Sequence, residues 1–366
     1  MIGLALSGGG SRAMAFHLGC LRALQDTDLL KKIRVLSTIS GGSVIGAYYA
    51  YTPDKSFNEF EADVRGFLRT GFQWKIAGKL LNPLNLAGCL AGLAAAHAGD
   101  LWSFFDGGEL GLRRRFSRTD LFRLVLEQCV FPELRMGSPR RADVDIVIGA
   151  TELRNGSAFR FGNNVSGDWR RGKVVNGDDD VAFAVAASAA YPIFLPALDR
   201  TWKFEKGGIQ TDHRVLLTDG GVYDNLGIQV LEPGRDAAVS LHTYPCEYII
   251  ACNAGHGQDS GNGIPRGFLR RVERSFEVVH RRVQDSTMNR LHHLKEAGHL
   301  KGFILPYLGQ IDERLPWKPP GLVERADVIA YSTDFAAMPE EWIDRLSNRG
   351  EQLTRCLLSK YVPELI

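Results

Sequence analysis

No Cys-x-x-Cys pair, no Gly-Lys-Ser/Thr and no apolar run of twenty residues occurs in this chain of 366 residues. Each absence removes a class of protein. The six cysteines (Cys20, Cys89, Cys129, Cys246, Cys252, Cys356) lack metal-like spacing and several sit in apolar runs. They read as reduced, buried thiols of a reducing compartment. Without Gly-Lys-Ser/Thr there is no phosphate-binding Walker loop. The longest apolar tract, 84–98, holds Asn85 and His97 and is about 15 residues, short of the roughly 20 that span a bilayer. Met1 leads straight into apolar residues with no basic region before them, so no signal peptide is expected. A net charge of +2 calls for no nucleic-acid partner. A cytoplasmic chain is expected, with peripheral contact at a membrane surface.

What the chain has in abundance is glycine, 40 residues clustered at turns. Three such turns follow candidate strands. Ile2–Leu6 reads as a buried strand running into Ser7-Gly8-Gly9-Gly10-Ser11-Arg12, and residues 13–24 keep helical spacing. Ile33–Ile39 is a second strand that stops at Ser40-Gly41-Gly42, with a small-residue helix at 44–49. A short strand at 215–217 enters Thr218-Asp219-Gly220-Gly221 ahead of a helix expected over 225–231. Strand, loop, helix, strand and helix within fifty residues imply a parallel sheet with helices on both faces. Further expected elements are helices at 57–68, 121–130 (capped by Thr119 and Asp120) and 181–190. A hairpin is expected at 145–150 and 158–161, a strand at 248–252, and helices at 265–295 and 339–361. Asp178, Asp179 and Asp180 read as N-terminal helix caps.

The strand ends of an open parallel sheet are where α/β proteins build sites, and the three turns bring complementary parts. Strand, sharp turn with a serine at its apex, then helix is the layout of a nucleophile elbow, which makes Ser40 a candidate nucleophile. Asp219 can take the serine proton if the two meet. Backbone amides near Gly9 and Gly10, with no Cβ in the way, can face a developing oxyanion. Ser43, three residues on, is a rival nucleophile placed better to cap the helix. Gly8-x-Gly10-x-x-Ala13 also fits a dinucleotide fingerprint, but the second strand lacks the acidic residue that reading requires. No carboxylate cluster asks for a metal, and no cofactor is expected.

Together, Leu6-Ser-Gly-Gly-Gly-Ser-Arg12, Thr38-Ile-Ser-Gly-Gly42 and Asp219-Gly-Gly221 resemble, in the same order, the three blocks of the patatin-like phospholipase family. Stretches 150–154, 187–192 and 219–227 are also family-like, so the resemblance covers about 1–52 and 140–260. It implies a three-layer α/β/α fold with a mostly parallel central sheet, to which a helical insertion and a helical C-terminal extension are added. Residues 1–70 and 118–260 would form the core, 71–117 the insertion and 261–366 the extension. It implies a Ser40–Asp219 dyad without histidine and an oxyanion loop of Gly8, Gly9 and Gly10. Arg12 would steady that loop or meet a substrate phosphate, and Gly41, Gly42, Gly220 and Gly221 would shape the turns. Two positions depart from the family pattern: Thr38 stands where the elbow has its first glycine, and Ser7 where an acidic residue is often found. A Ser-Gly-Gly-Ser elbow is similar to that of some bacterial members and of cytosolic phospholipase A2-like enzymes.

The implied activity is hydrolysis of fatty-acyl esters in membrane phospholipid or another acyl-ester lipid, of phospholipase A or lysophospholipase type, through an acyl-enzyme. Two alternatives stand beside it. One is a Ser-His-Asp esterase using His242 or His256. The other is a non-catalytic, membrane-peripheral lipid-binding protein. The apolar tract at 71–105 reads either as a flap completing the core or as a lipid-facing lid. The helix at 266–290, rich in arginine, reads either as a solvated face over a packed apolar stripe or as a surface for anionic lipid.

Overall fold

The computed structural model describes all residues except 107–114, 139, 142–143, 178, 193 and 258–265. In chain order the elements are β1 (Ile2–Leu6), α1 (Gly10–Asp26), β2 (Ile33–Ile39), α2 (Gly41–Tyr51), α3 (Phe57–Thr70), α4 (Gln73–Leu80), α5 (Pro83–Asp106) and α6 (Arg118–Cys129). There follow β3 (Asp145–Glu152), β4 (Ser157–Gly162), β5 (Gly167–Asp168), β6 (Gly172–Val174), α7 (Val181–Ser188), β7 (Leu198–Lys206), β8 (Ile209–Asp219) and α8 (Gly221–Asp224). The last are β9 (Tyr248–Cys252), α9 (Phe268–Glu296), β10 (Gly302–Ile304) and α10 (Glu340–Tyr361).

The sheet has ten strands in the order β10-β9-β1-β2-β3-β4-β5-β6-β7-β8. Its first five strands pair in parallel. Their sequences, such as IGLAL and YIIAC, are nearly continuous apolar runs, as strands covered on both faces require. From β3 onward every pairing is antiparallel. The sheet is therefore mixed: its parallel half carries the first two glycine turns, after β1 and β2, and the third follows β8, an antiparallel strand. The antiparallel half hides in sequence because β7 and β8 are rich in Arg, Lys, Asp and Glu. Their two-residue turn, Gly207-Gly208, has both φ positive (59° and 79°), the hairpin turn that matches strand twist.

β3 has two neighbours on one side. Its first part lies beside β2, ending at Gly149 opposite Ile39, and its last part beside β8, starting at Ala150 opposite Asp219. The C-terminal ends of β2 and β8 are thereby brought head to head. This register builds the site.

Other differences are local. The N-cap of α6 is Ser117, whose hydroxyl accepts from Thr119 N–H and donates to Asp120, so the latter two are not the caps. Asp178 lies outside the described residues; Asp180 makes no capping bond and instead pairs with Arg123 and Arg135. The helix expected at 225–231 is broken by Gly227 (φ 69°), leaving α8 and a 3₁₀ turn at Gln229–Leu231. All six cysteines are free thiols.

Two features concern the surface. α10 crosses α1 backbone to backbone: a Cβ on Gly19 would stand 1.7 Å from the Ser347 carbonyl oxygen, and one on Gly350 2.1 Å from that of Phe16. On α9 the apolar stripe is not packed. Phe268, Val272 and Val279 are 70%, 51% and 62% exposed, and among the described side chains the first buried ones are Thr287 and Leu291. On α4, α5 and the turn between them Trp74, Leu81 and Leu84 are exposed. No single described helix is long and apolar enough to cross a membrane, although α4 and residues 83–102 of α5 pass that test as a pair bent by 93°.

Candidate active site

Ser40 sits between β2 and α2 with φ 52° and ψ −120°, a strained conformation for a residue with a side chain. Its surroundings enforce it. A Cβ on Gly41 would meet the Gly10 carbonyl oxygen at 2.2 Å, and one on Gly42 the Leu6 carbonyl oxygen at 2.3 Å. Only glycines let the helix start this close to the first strand. The missing elbow glycine is compensated across the helix, since Thr38 Cγ2 lies 2.5 Å from where a Gly46 Cβ would be.

Ser40 Oγ donates to Asp219 Oδ2 at 2.8 Å across 179 residues of sequence. Both side chains are buried. The other carboxylate oxygen, Oδ1, accepts the Gly221 N–H at 2.7 Å. Burial pushes the Asp219 carboxyl up to about 6, opposed in part by the Gly221 amide and the Ser40 hydroxyl. A carboxyl so placed is ionised at neutral pH and still basic enough to accept a proton. Gly220 is needed because a Cβ there would stand 2.3 Å from the Gly149 carbonyl oxygen, at the junction of β2, β3 and β8.

The glycine loop is pinned at both ends. Ser7 N–H donates to Cys252, Gly8 N–H to Asn225 and Ser11 N–H to Asp334, each to a carbonyl oxygen. The Gly8 amide is therefore committed to the Asn225 carbonyl. Its lack of a Cβ serves close approach instead, with Asn225 Oδ1 2.4 Å and Ser40 Cβ 3.2 Å from that point. Among the described residues no acceptor meets the Gly9 and Gly10 amides, whose φ values are 139° and 58°. Ser7, in the place of the acidic residue, accepts the Ala254 N–H on its hydroxyl at 2.9 Å.

Arg12 is buried and donates to the carbonyl oxygens of Ala254 (3.1 Å) and Tyr331 (3.0 Å). Burial pulls its guanidinium down to about 10. These contacts tie the loop to two distant segments. Ser43 is turned away from Asp219, its hydroxyl 2.9 Å from that of Ser188. No imidazole stands between Ser40 and Asp219, which bond directly. His242 is held at the Val165 carbonyl and burial pulls it down to about 3, so it forms no triad.

One residue of this site was not singled out by sequence, although it lies in the family-like stretch 187–192. Ser188, at the end of α7, accepts the Ser40 N–H on its hydroxyl at 2.9 Å, and its carbonyl accepts the Gly220 N–H at 3.0 Å. The next turn continues the link, as the Ala190 carbonyl takes the Asp219 N–H and the Thr218 hydroxyl. The end of α7 thus holds both halves of the Ser40–Asp219 pair. The stretch marks it as family-like, but which groups its hydroxyl and carbonyl meet is decided by the fold.

A family model described as patatin-like phospholipase matches residues 4–231. No curated protein matches the chain. Among solved structures, human GIVD cytosolic phospholipase A2 is similar with a TM-score of 0.55 at 12% identity, covering 97% of this chain and 58% of that one. The same human protein in complex with methyl gamma-linolenyl fluorophosphonate gives 0.51 at 12% identity, covering 97% and 57%. This chain therefore spans less than two thirds of the length of that neighbour, and the likeness is one of fold. With the match running from β1 to the turn after α8, the chain belongs to the patatin-like phospholipase family.

Proposed function

We propose that this chain is a lipid acyl hydrolase of phospholipase A or lysophospholipase type, with Ser40 as nucleophile and Asp219 as general base. The observation that carries the reading is the direct 2.8 Å bond from Ser40 Oγ to Asp219 Oδ2, made by a serine in a strained turn. Ser40 Oγ attacks the ester carbonyl carbon while its proton passes to Asp219. Negative charge gathers on the carbonyl oxygen, which the Gly9 and Gly10 amides receive; such a donor typically contributes about 3 kcal/mol. The tetrahedral intermediate collapses, the alcohol leaves with the proton from Asp219, and the fatty acyl group stays on Ser40. Water then attacks the acyl-enzyme with Asp219 again as base, releasing the fatty acid.

Arg12 serves as a brace of the oxyanion loop in this reading, since it donates to the backbone carbonyls of Ala254 and Tyr331. The exposed apolar residues of α4 and α5 and the stripe on α9, flanked by Arg270, Arg271 and Arg282, are the surfaces we assign to peripheral contact with anionic lipid. The dyad is 7% and 5% exposed.

A lipid-like fluorophosphonate, the class of inhibitor bound in the human GIVD structure, tests the reading directly. Labelling of the wild type that is lost in Ser40→Ala and kept in Ser43→Ala is the expected result. Labelling that survives Ser40→Ala overturns the site.

A further inference from the structure

Behind the glycine loop lies a group of side chains with no part in the chemistry above. His17 and Cys20 are one turn apart on α1, and Cys252 ends β9. All three are fully buried, and their ligand atoms lie within 4.8 Å of one another. The His17 ring is set for ligation. Its Nε2 is 3.0 Å from the Ser7 carbonyl oxygen, which can only accept, so Nε2 carries the proton. Nδ1 then bears the bare lone pair, and it has no hydrogen-bond partner although wholly buried. A histidine that donates one ring N–H to a backbone carbonyl and presents the other nitrogen is the usual arrangement of a metal ligand.

We propose that His17 Nδ1, Cys20 Sγ and Cys252 Sγ form a structural zinc site. Zinc bonds of about 2.3 Å to sulfur and 2.0 Å to nitrogen set donor atoms roughly 3.5–3.8 Å apart, a small contraction of the present spacing. Two thiolates neutralise Zn(II), which suits a site walled off from water; binding releases the two thiol protons. The Cys20 thiol donates to the Gly350 carbonyl oxygen at 3.6 Å, a bond given up when the thiol proton is released to bind the metal. Both ligand-bearing elements hold Ser7. The Cys252 carbonyl accepts its N–H, and His17 meets its carbonyl. The metal would fasten the floor of the oxyanion loop to α1 and β9.

The full chain, expressed with added zinc and purified under reducing conditions, should carry about one zinc per molecule by elemental mass spectrometry. Refolding with cobalt(II) should produce thiolate-to-metal charge-transfer absorption and the intense visible bands of tetrahedral coordination. Cys252→Ser should lose both signals, and Cys89→Ser, outside the cluster, should keep them. The cobalt spectrum of the wild type decides the matter even where Cys252→Ser fails to fold. Wild-type protein that folds without stoichiometric zinc and gives no thiolate–cobalt bands overturns the site, as does a Cys20–Cys252 disulfide in zinc-replete protein. None of these readouts depends on the role assigned to Ser40.

Discussion

Thr38 occupies the space that Gly46 leaves open: its Cγ2 lies 2.5 Å from the position of a Gly46 Cβ. The bulk that an elbow glycine normally avoids has been moved one helical turn away and absorbed there. Gly46→Ala should therefore lower stability by about 1–3 kcal/mol through overpacking, although alanine favours a helix interior. In the Thr38→Ala background the same change should be neutral or stabilising. Denaturant unfolding of the four proteins measures the coupling, and simple additivity would refute it.

Asp219 predicts opposite effects on rate and stability. As a base it must be ionised, so kcat/KM should fall about tenfold per unit as pH drops below about 6. For stability the sign is reversed. The folded state holds the proton up to about 6, against 3.8 for an aspartate in water, so stability falls as pH rises through that window and is flat above it. About two units amount to roughly 3 kcal/mol of burial penalty at neutral pH. Asp219→Asn should abolish turnover and raise Tm at pH 8 by a few degrees while leaving it little changed at pH 4.

Ser188 acts through Ser40, as a positioning residue. Ser188→Ala leaves the Ser40 N–H without its acceptor and should cost about 1–3 kcal/mol of stability. Loosening the turn should lower kcat on a soluble ester substrate more than it changes KM. A purely structural role predicts loss of stability with kcat per folded molecule unchanged.

The stripe on α9 predicts sedimentation with anionic vesicles. Val272→Glu with Val279→Glu should weaken binding by about tenfold or more, since each valine contributes on the order of 1 kcal/mol when buried in the interface. Raising the ionic strength should weaken the wild type as well. Hydrolysis of a soluble short-chain ester should be largely kept, because Val272 and Val279 are exposed and take no part in the hydrogen bonds of Ser40 and Asp219.

Much of this protein is legible in local pattern. The apolar runs of β1, β2 and β9 reach their observed ends, 2–6, 33–39 and 248–252, because continuous burial leaves a continuous signature. The glycine turns are equally visible, since a left-handed φ at Gly9 or Gly10 and a Cβ-free approach at Gly41 restrict the residue type at that position. Polar, half-exposed strands such as β7 leave no such trace, and the α9 stripe has helical spacing whether or not anything covers it.

Residue types and turns were thus determined by sequence alone, down to the order of the three motif blocks. Tertiary structure decided the pairings. That Asp219 meets Ser40 follows from β3, which hands its edge from β2 to β8 between Gly149 and Ala150. That the Gly8 amide is taken, that Ser188 steadies the turn, and that His17 faces Cys20 and Cys252 are likewise matters of register between distant segments. A hydrogen bond has a partner, and the partner's address is written in the sheet and not in the neighbouring residues.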